Sequence, residues 1–484
     1  MIERSFAVLV VFALSLGACA LKRQDPPRYT ELGPEQIRLA DDIRLARDGW
    51  PAARWWSRFG DPQLNALVER ALAESPTMIV ARTRVSLARV EVEQVRSGTY
   101  LQALALGAVN REHVSANGFL SAYAHTNPEI GATGPWYTEG VVGMGASLNL
   151  DLWGESRANV AAAIGVQNAR LAEAAAVELE IATDVAQLYY AIQTTHQLIA
   201  LLGQSHTVAV FTVSAHAGRA ETGLEARPGT EDARVEQLTI ERSLRAARTR
   251  IVELREALRA LVGVGANDFP ELKPLPLPAT LASMPPTLSY ELLARRPDLQ
   301  AMRWYVQASL DRVDAAKAAF FPRFDIRAFF GFDALHLRDL FKAASQQINI
   351  IPRLALPIFD GSRLNANLQA ARNESNALIA RYNGAILNAV RDIAVTGNQL
   401  QGLDAERDLQ VQKISAVKFT ESSAQAHYQR GLGSLLTAME ARQPVIDEQI
   451  SLLEIDGLRI GQHIALIKAL GGGYHAEVVR DDRQ

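Results

Sequence analysis

The sequence predicts a mainly α protein that also contributes strands to a transmembrane β-barrel. Its plan is two long helical hairpins, each preceded by a pair of strands. Three observations carry that prediction. Residues 362–430 contain no proline and place Ile386, Val390, Ile393, Leu400 and Leu403 at helical spacing, the stripe of a helix buried against other helices. The same object occurs earlier, at 156–222, with Ile181, Val185, Leu188 and Ile192 on one face. Ahead of each stretch the apolar period drops to two, which marks strands with one apolar face.

The two halves align as a duplication. Leu148-Asn149-Leu150-Asp151-Leu152-Trp153 and Ser156-Arg157-Ala158-Asn159 match Leu354-Ala355-Leu356-Pro357-Ile358-Phe359 and Ser362-Arg363-Leu364-Asn365. The offset is 206 there (362 − 156) and 208 at the glycine pairs (431 − 223), so the register barely drifts. At about 1.5 Å per residue each helix would be on the order of 100 Å long, far more than a compact domain needs. Gly223 and Gly431 then supply tight reversals, since backbone without Cβ takes positive φ readily.

Bulk composition narrows the function. The chain has 484 residues, 50 Lys and Arg against 53 Asp and Glu, and a net charge of −3. No basic cluster supports nucleic-acid binding. A single cysteine excludes an internal disulfide and a cysteine-based metal site. The nine histidines are scattered without an HExxH pair, and no phosphate loop, nucleophile elbow or dinucleotide fingerprint occurs. Catalysis has no foothold, so no catalytic residue, metal or cofactor is expected.

Taken in order, residues 1–18 read as a signal peptide: Arg4 precedes an apolar run too short for a comfortable membrane span. The run closes on Leu16-Gly17-Ala18-Cys19, which resembles the bacterial lipoprotein lipobox. That resemblance implies cleavage before Cys19 and diacylglycerol and N-acyl lipid on it, enough for stable anchoring. Ala20 stands where an aspartate would retain an enteric lipoprotein in the inner membrane. Residues 19–50 are a polar tether.

The first repeat spans 51–263. Asp61-Pro62 reads as the N-cap and first turn of a helix, and helical pattern runs to about Ser97 with a break near Ser75-Pro76. Strands are expected at about 100–114 and 138–152. In the second, Val142, Met144, Ala146, Leu148, Leu150 and Leu152 alternate with Glu139, Gly143, Gly145, Ser147, Asn149 and Asp151. Residues 115–135 read as an exposed loop, and 156–262 as the helical hairpin. Residues 264–287 form a linker with Pro270, Pro274, Pro276, Pro278, Pro285 and Pro286.

The second repeat spans 288–474, with strands at about 322–334 and 346–358, a hairpin over 362–470, and a charged tail at 475–484. Phe324, Ile326, Ala328, Phe330 and Phe332 alternate with Arg323, Asp325, Arg327 and Asp333. Ile348, Ile350, Leu354, Leu356 and Ile358 alternate with Gln347, Asn349, Arg353 and Ala355. Apolar-out, charged-in strands of about ten residues suit a membrane barrel. Four strands cannot close a barrel around a polar lumen, and an open sheet edge cannot sit in hydrocarbon. Several protomers must then share one barrel, and three would give twelve strands.

With Trp55-Trp56, Phe59-Gly60-Asp61-Pro62, Asp151-Leu152-Trp153-Gly154, Arg296-Pro297-Asp298-Leu299, Phe321-Pro322, Pro357-Ile358-Phe359-Asp360-Gly361, Tyr428-Gln429-Arg430-Gly431 and Gly471-Gly472-Gly473 in order, the chain resembles the outer membrane factor family. Its TolC- and OprM-like, NodT-type efflux lipoproteins are the nearest branch, and the resemblance covers nearly the whole mature chain. It implies a homotrimer with a twelve-stranded barrel in the outer membrane of a Gram-negative bacterium, continued by a helical α-barrel across the periplasm. It also implies a periplasmic adaptor and an inner-membrane pump of RND type as partners, with passive exit of drugs or other small toxic compounds. By that resemblance Thr222, Gly223, Leu224, Arg430, Gly431, Leu432 and Gly433 are the tips that dock the adaptor. Glu440, Thr437, Asp232 and Glu231 are the gate candidates, Thr437 standing where relatives often have another carboxylate. A type I secretion duct, a periplasmic adaptor-type lipoprotein and a lipid-anchored enzyme are the competing readings.

Overall fold

The computed structural model describes residues 27–32, 51–130, 132–278 and 295–475. Leu16, Gly17, Ala18, Cys19, most of the tether, the end of the linker, residues 288–294 of the second repeat and residues 476–484 of the tail lie outside the described residues. In the first repeat a short 3-10 turn (Trp55–Phe59) leads into α1 (Pro62–Glu74) and α2 (Pro76–Ser97). Asp61 caps α1, its Oδ1 accepting from the Gln63 and Leu64 amides at 2.9 and 3.3 Å. Strand β1 (Gln102–His113) follows, and a loop with two-residue strands β2 (Thr126–Asn127) and β3 (Ala132–Thr133) leads to β4 (Trp136–Leu150). The hairpin is α3 (Glu155–Glu221) and α4 (Arg227–Val262).

The second repeat gives α5 (Pro297–Ala318), β5 (Arg323–Ala334), β6 (Gln346–Ala355), α6 (Arg363–Gln429), α7 (Leu435–Glu440) and α8 (Gln443–Ala469). A single return helix over 434–470 is therefore not what forms. Pro444 sits in the first turn of α8, has no N–H to give, and its ring would meet the carbonyl four residues back, at Glu440. The return helix breaks there, whereas its counterpart α4 runs unbroken.

Helices α3 and α6 are each 67 residues long. Their offset is 208 at both ends (363 − 155 and 429 − 221), so the repeat register is constant through the helices. The offset of 206 at the Ser-Arg-x-Asn likeness is corrected accordingly: Ser156 lies inside the first turn of α3, but Ser362 is the residue before α6, at φ 69°. The likeness records a shared helix start rather than equal register. Asp151 accepts from the Ser156 and Arg157 amides, and Asp360 from the Leu364 amide, so each helix has a carboxylate at its positive end.

The four long strands form one antiparallel sheet in the order β1-β4-β5-β6, and the two repeats meet at β4 and β5. Register sorts the side chains. Phe330 lies opposite Met144 and Ile348, and Asp325 opposite Asn149 and Arg353. On the polar face Asp325 pairs with both Arg327 and Arg353 at 3.1 and 3.2 Å. Among the described residues nothing covers the apolar face, with Phe330 52% and Ile350 71% exposed. At the centre β4 and β5 approach closely at Gly143 and Gly331: a Cβ on Gly143 would stand 2.6 Å from the Phe330 carbonyl oxygen, and one on Gly331 2.3 Å from that of Val142.

Sheet and helices are fastened where they join. Trp153 stacks on Phe321 at 5.0 Å and its Nε1 donates to the Pro322 carbonyl at 2.8 Å, while Arg323 pairs with Glu155 at 2.8 Å. Each contact links one repeat to the other. The core lies along the middle of the bundle. Trp55, Leu64 and Val68 pack with Ile181, Val185, Tyr189 and Ile192 of α3, Leu258 of α4 and Ile460 and Ile464 of α8. A second cluster joins Leu299 and Val306 of α5 to Ile379, Ile386 and Ile393 of α6 and Leu466 of α8. The linker crosses this region on glutamine side chains: Gln63 exchanges hydrogen bonds with the backbone of Lys273, and Gln193 accepts from the Leu275 amide.

Candidate functional site: the hairpin tips

Both hairpins reverse by the same chemistry. At the first, Gly223 has φ 72° and the Leu224 amide donates to the Arg219 carbonyl at 2.8 Å. At the second, Gly431 has φ 74° and the Leu432 amide donates to the His427 carbonyl at 2.9 Å. These left-handed caps satisfy carbonyls the helix leaves open, and glycine is favoured because φ is positive. The pairs again differ by 208 (427 − 219, 432 − 224). Thr222 adds its hydroxyl, donating to Gly218 and Arg219 carbonyls. Leu224 and Leu432 are both 73% exposed, so each reversal presents one apolar side chain to solvent. Arg430 and Gly433 flank the second reversal and are also exposed.

Beyond the reversals the repeats diverge. Ser434 caps α7, its Oγ accepting from the Thr437 amide at 3.1 Å and lying 2.9 Å from the Thr437 hydroxyl. Thr437 is thus engaged in the start of α7. Glu440 is the last residue of α7, at the break before α8. Asp232, its counterpart on α4, lines the same cleft as Glu440, a space of about 370 Å³ whose wall also includes His216, Glu236 and Gln443. Glu231 is exposed and is not among the residues of that wall.

His216 joins α3 of the first hairpin to α7 of the second, and sequence reasoning missed it. Its Nδ1 lies 2.7 Å from Glu225 Oε1 and its Nε2 3.3 Å from Glu440 Oε1. Arg219 donates from Nε to the other Glu225 oxygen at 3.0 Å. The hydrogen bond from His216 holds the Glu225 carboxyl below the usual range; desolvation opposes it, and the hydrogen bond from Arg219 adds to the lowering. One turn separates His216 from Arg219, and Glu225 follows the reversal. That basic pair before the glycine and acid after it was the available signal. Behind the break, the Gln443 amide donates to Ser205 Oγ at 2.7 Å and to Asp447 at 2.8 Å; burial raises the Asp447 carboxyl, Gln443 opposing.

The site holds paired charges and exposed leucines rather than a nucleophile beside a base. Among the described residues no group of three or more His, Cys, Asp or Glu is placed to hold a metal ion. What it can do is recognise another protein's apolar surface and present carboxylates.

The outer membrane efflux protein family model matches residues 67–264 and 288–472. The multidrug resistance outer membrane protein MdtP of Escherichia coli K12 is 54% identical over 461 residues, covering 95% of this chain and 94% of MdtP. The multidrug resistance outer membrane protein MdtQ of Escherichia coli O157:H7 is 37% identical over 464 residues, covering 95% and 96%. Among solved structures, the outer membrane protein VceC of Vibrio cholerae superposes with a TM-score of 0.76 at 28% identity, over 88% of this chain and all of VceC.

Proposed function

This chain belongs to the outer membrane efflux protein family, whose members are efflux channels of the outer membrane and not enzymes, and we propose that three copies assemble into one exit duct for drugs and other small toxic compounds. The observation that carries this reading is the uncovered four-stranded sheet. Among the described residues its outer strands β1 and β6 each pair on one side only, and its apolar face meets no core. In hydrocarbon an unpaired edge costs several kcal/mol per backbone group, so β6 of one copy pairs with β1 of the next. Three copies of four strands make a twelve-stranded barrel, wide enough for a polar lumen lined by Asp325, Arg327 and Arg353.

The helices carry matching support. Leu87 and Val90 on α2 and Leu409 and Phe419 on α6 are exposed in the single chain, as residues buried between protomers would be. Stacked end to end with the barrel, α3 and α6 reach about 100 Å into the periplasm. There Leu224 and Leu432 dock a periplasmic adaptor, and Glu440 and Asp232, with Thr437 and Glu231 beside them, ring the entrance. The inner-membrane pump is of RND type, and Cys19 carries the lipid that anchors the chain in the outer membrane. The drug class rests on the likeness to MdtP.

Electron microscopy of the detergent-solubilised protein, with its mass from light scattering, tests the assembly. A three-protomer tube is expected, and a compact monomer would remove the duct. Loss of drug tolerance on deletion, restored by the gene, tests the cargo class.

A further inference from the structure

We infer that His216 is a positioning residue for the entrance: protonated, it ties the Glu440 carboxylate of the second hairpin to Glu225 of the first, and neutral, it lets Glu440 go. The inference rests on the reading that the hairpin tips form the entrance of an export duct.

The geometry sets the requirement. Both ring nitrogens face carboxylate oxygens, at 2.7 Å toward Glu225 and 3.3 Å toward Glu440. An ionised carboxylate only accepts hydrogen bonds, and a neutral imidazole has a single N–H. A neutral ring therefore satisfies one partner and turns a lone pair toward the other. The imidazolium donates to both. When one proton is lost, Glu225 is the partner that keeps its bond, because its contact is shorter and Arg219 fixes its second oxygen. Glu440, with its side chain 44% exposed against 23% for Glu225, is the partner released.

The surroundings favour a switchable tie rather than a permanent one. Facing His216 across the cleft are Asp232 and Glu236 from α4, Glu440 from α7 and the neutral Gln443 from α8, with Arg219 on its own helix beside Glu225. Carboxylates outnumber cations, so a proton on His216 reduces a local excess of negative charge. Helix α7 is short and parted from α8 at residues 441 and 442, so the tie at Glu440 falls at the break between them. The second hairpin has no such tie of its own: the counterparts of His216 and Glu225 are Ala424 and Gly433. His216 thus ties Glu440 to the first hairpin, and three-fold assembly repeats the tie around the axis, where carboxylate rings set ion selectivity.

The test is the cation-over-anion selectivity of the purified full-length trimer in planar bilayers, measured with potassium chloride between about pH 5 and about pH 8, where imidazole changes charge. Wild type is expected to show a rise in cation selectivity across that interval as the Glu440 ring is freed. His216→Gln should lose the step and stay at the high-pH level, and His216→Lys should stay at the low-pH level. Glu440→Gln should lose the step as well, and it serves as the second variant if His216→Gln fails to assemble. A step that persists in His216→Gln, or in Glu440→Gln, overturns the inference while leaving the channel intact. Absence of any conductance from wild-type trimer would instead overturn the duct reading, and the inference with it.

Discussion

The Tyr189 hydroxyl donates to Asp61 Oδ2 across 2.5 Å, joining the cap of α1 to the middle of α3. Asp61 thereby serves two elements, since its other oxygen holds the start of α1. Burial, and then the bond to Asp61, push the Tyr189 phenol well above its ordinary value, so it remains a donor at any physiological pH. Tyr189→Phe should cost about 2 kcal/mol, the worth of a hydrogen bond to a charged group. Asp61→Ala should cost more, about 3–4 kcal/mol, because it also removes the cap and strands the hydroxyl. Thermal unfolding followed by circular dichroism gives the ranking, and equal melting temperatures for the two variants would refute it.

His463 is 1% exposed, and neither of its ring nitrogens has a hydrogen-bond partner among the described residues. Burial, reinforced by the nearby Arg459 and opposed by Asp404, pushes its pKa down to about 4. The folded value lies below the unfolded one of about 6.5, so the unfolded chain binds the extra proton between them. Stability from neutral His463 is present above about pH 6.5 and lost as pH falls toward 4, up to about 3 kcal/mol. His463→Leu should flatten the melting temperature over that interval. A wild-type melting temperature that does not fall between pH 6.5 and 4 would refute the assignment.

Close backbone approach at the sheet centre predicts a sharp positional contrast. Gly331→Ala brings a Cβ against the Val142 carbonyl and the Gly143 Cα, whereas Gly107, in β1, has open space around its added Cβ. Gly331→Ala should sharply reduce the yield of assembled protein in the outer membrane, and Gly107→Ala should leave it near wild type. The readout is the amount of heat-resistant oligomer in membrane fractions. Equal yields would mean that β4 and β5 spread apart at little cost.

Cys19→Ala is expected to remove lipid attachment, seen as loss of metabolically incorporated palmitate. Retention in the outer membrane should weaken less than labelling does, because the barrel of the proposed trimer would itself be embedded. Undiminished palmitate in the variant would place the lipid elsewhere.

Much of this was legible in the sequence because long elements repeat their signals. The stripe through Ile386 and Ile393, both fully buried, recurs over many turns, and the alternation about Asp325 and Phe330 names each face of the sheet by itself. Gly223 and Gly431 mark reversals by the backbone they permit. What was not legible depends on single contacts between distant segments. The break before α8 required weighing Pro444 against an otherwise helical pattern, and the tie from His216 to Glu440 spans 224 residues and leaves no periodic trace. The hydroxyl of Tyr189 likewise reads as one more apolar position on α3 until Asp61 arrives beside it.

The equal length of α3 and α6 constrains how this gene can change. Adding one residue to either helix would move its tip about 1.5 Å along the axis and turn it by about a quarter of a revolution. The reversals that carry Leu224 and Leu432 would then no longer match in height and facing. Insertions and deletions in the two helices are therefore tolerated only in matched pairs, because an insertion in one helix alone can restore facing but never height. Substitutions face no such coupling, so the two halves are free to diverge in residue identity while their lengths stay locked together.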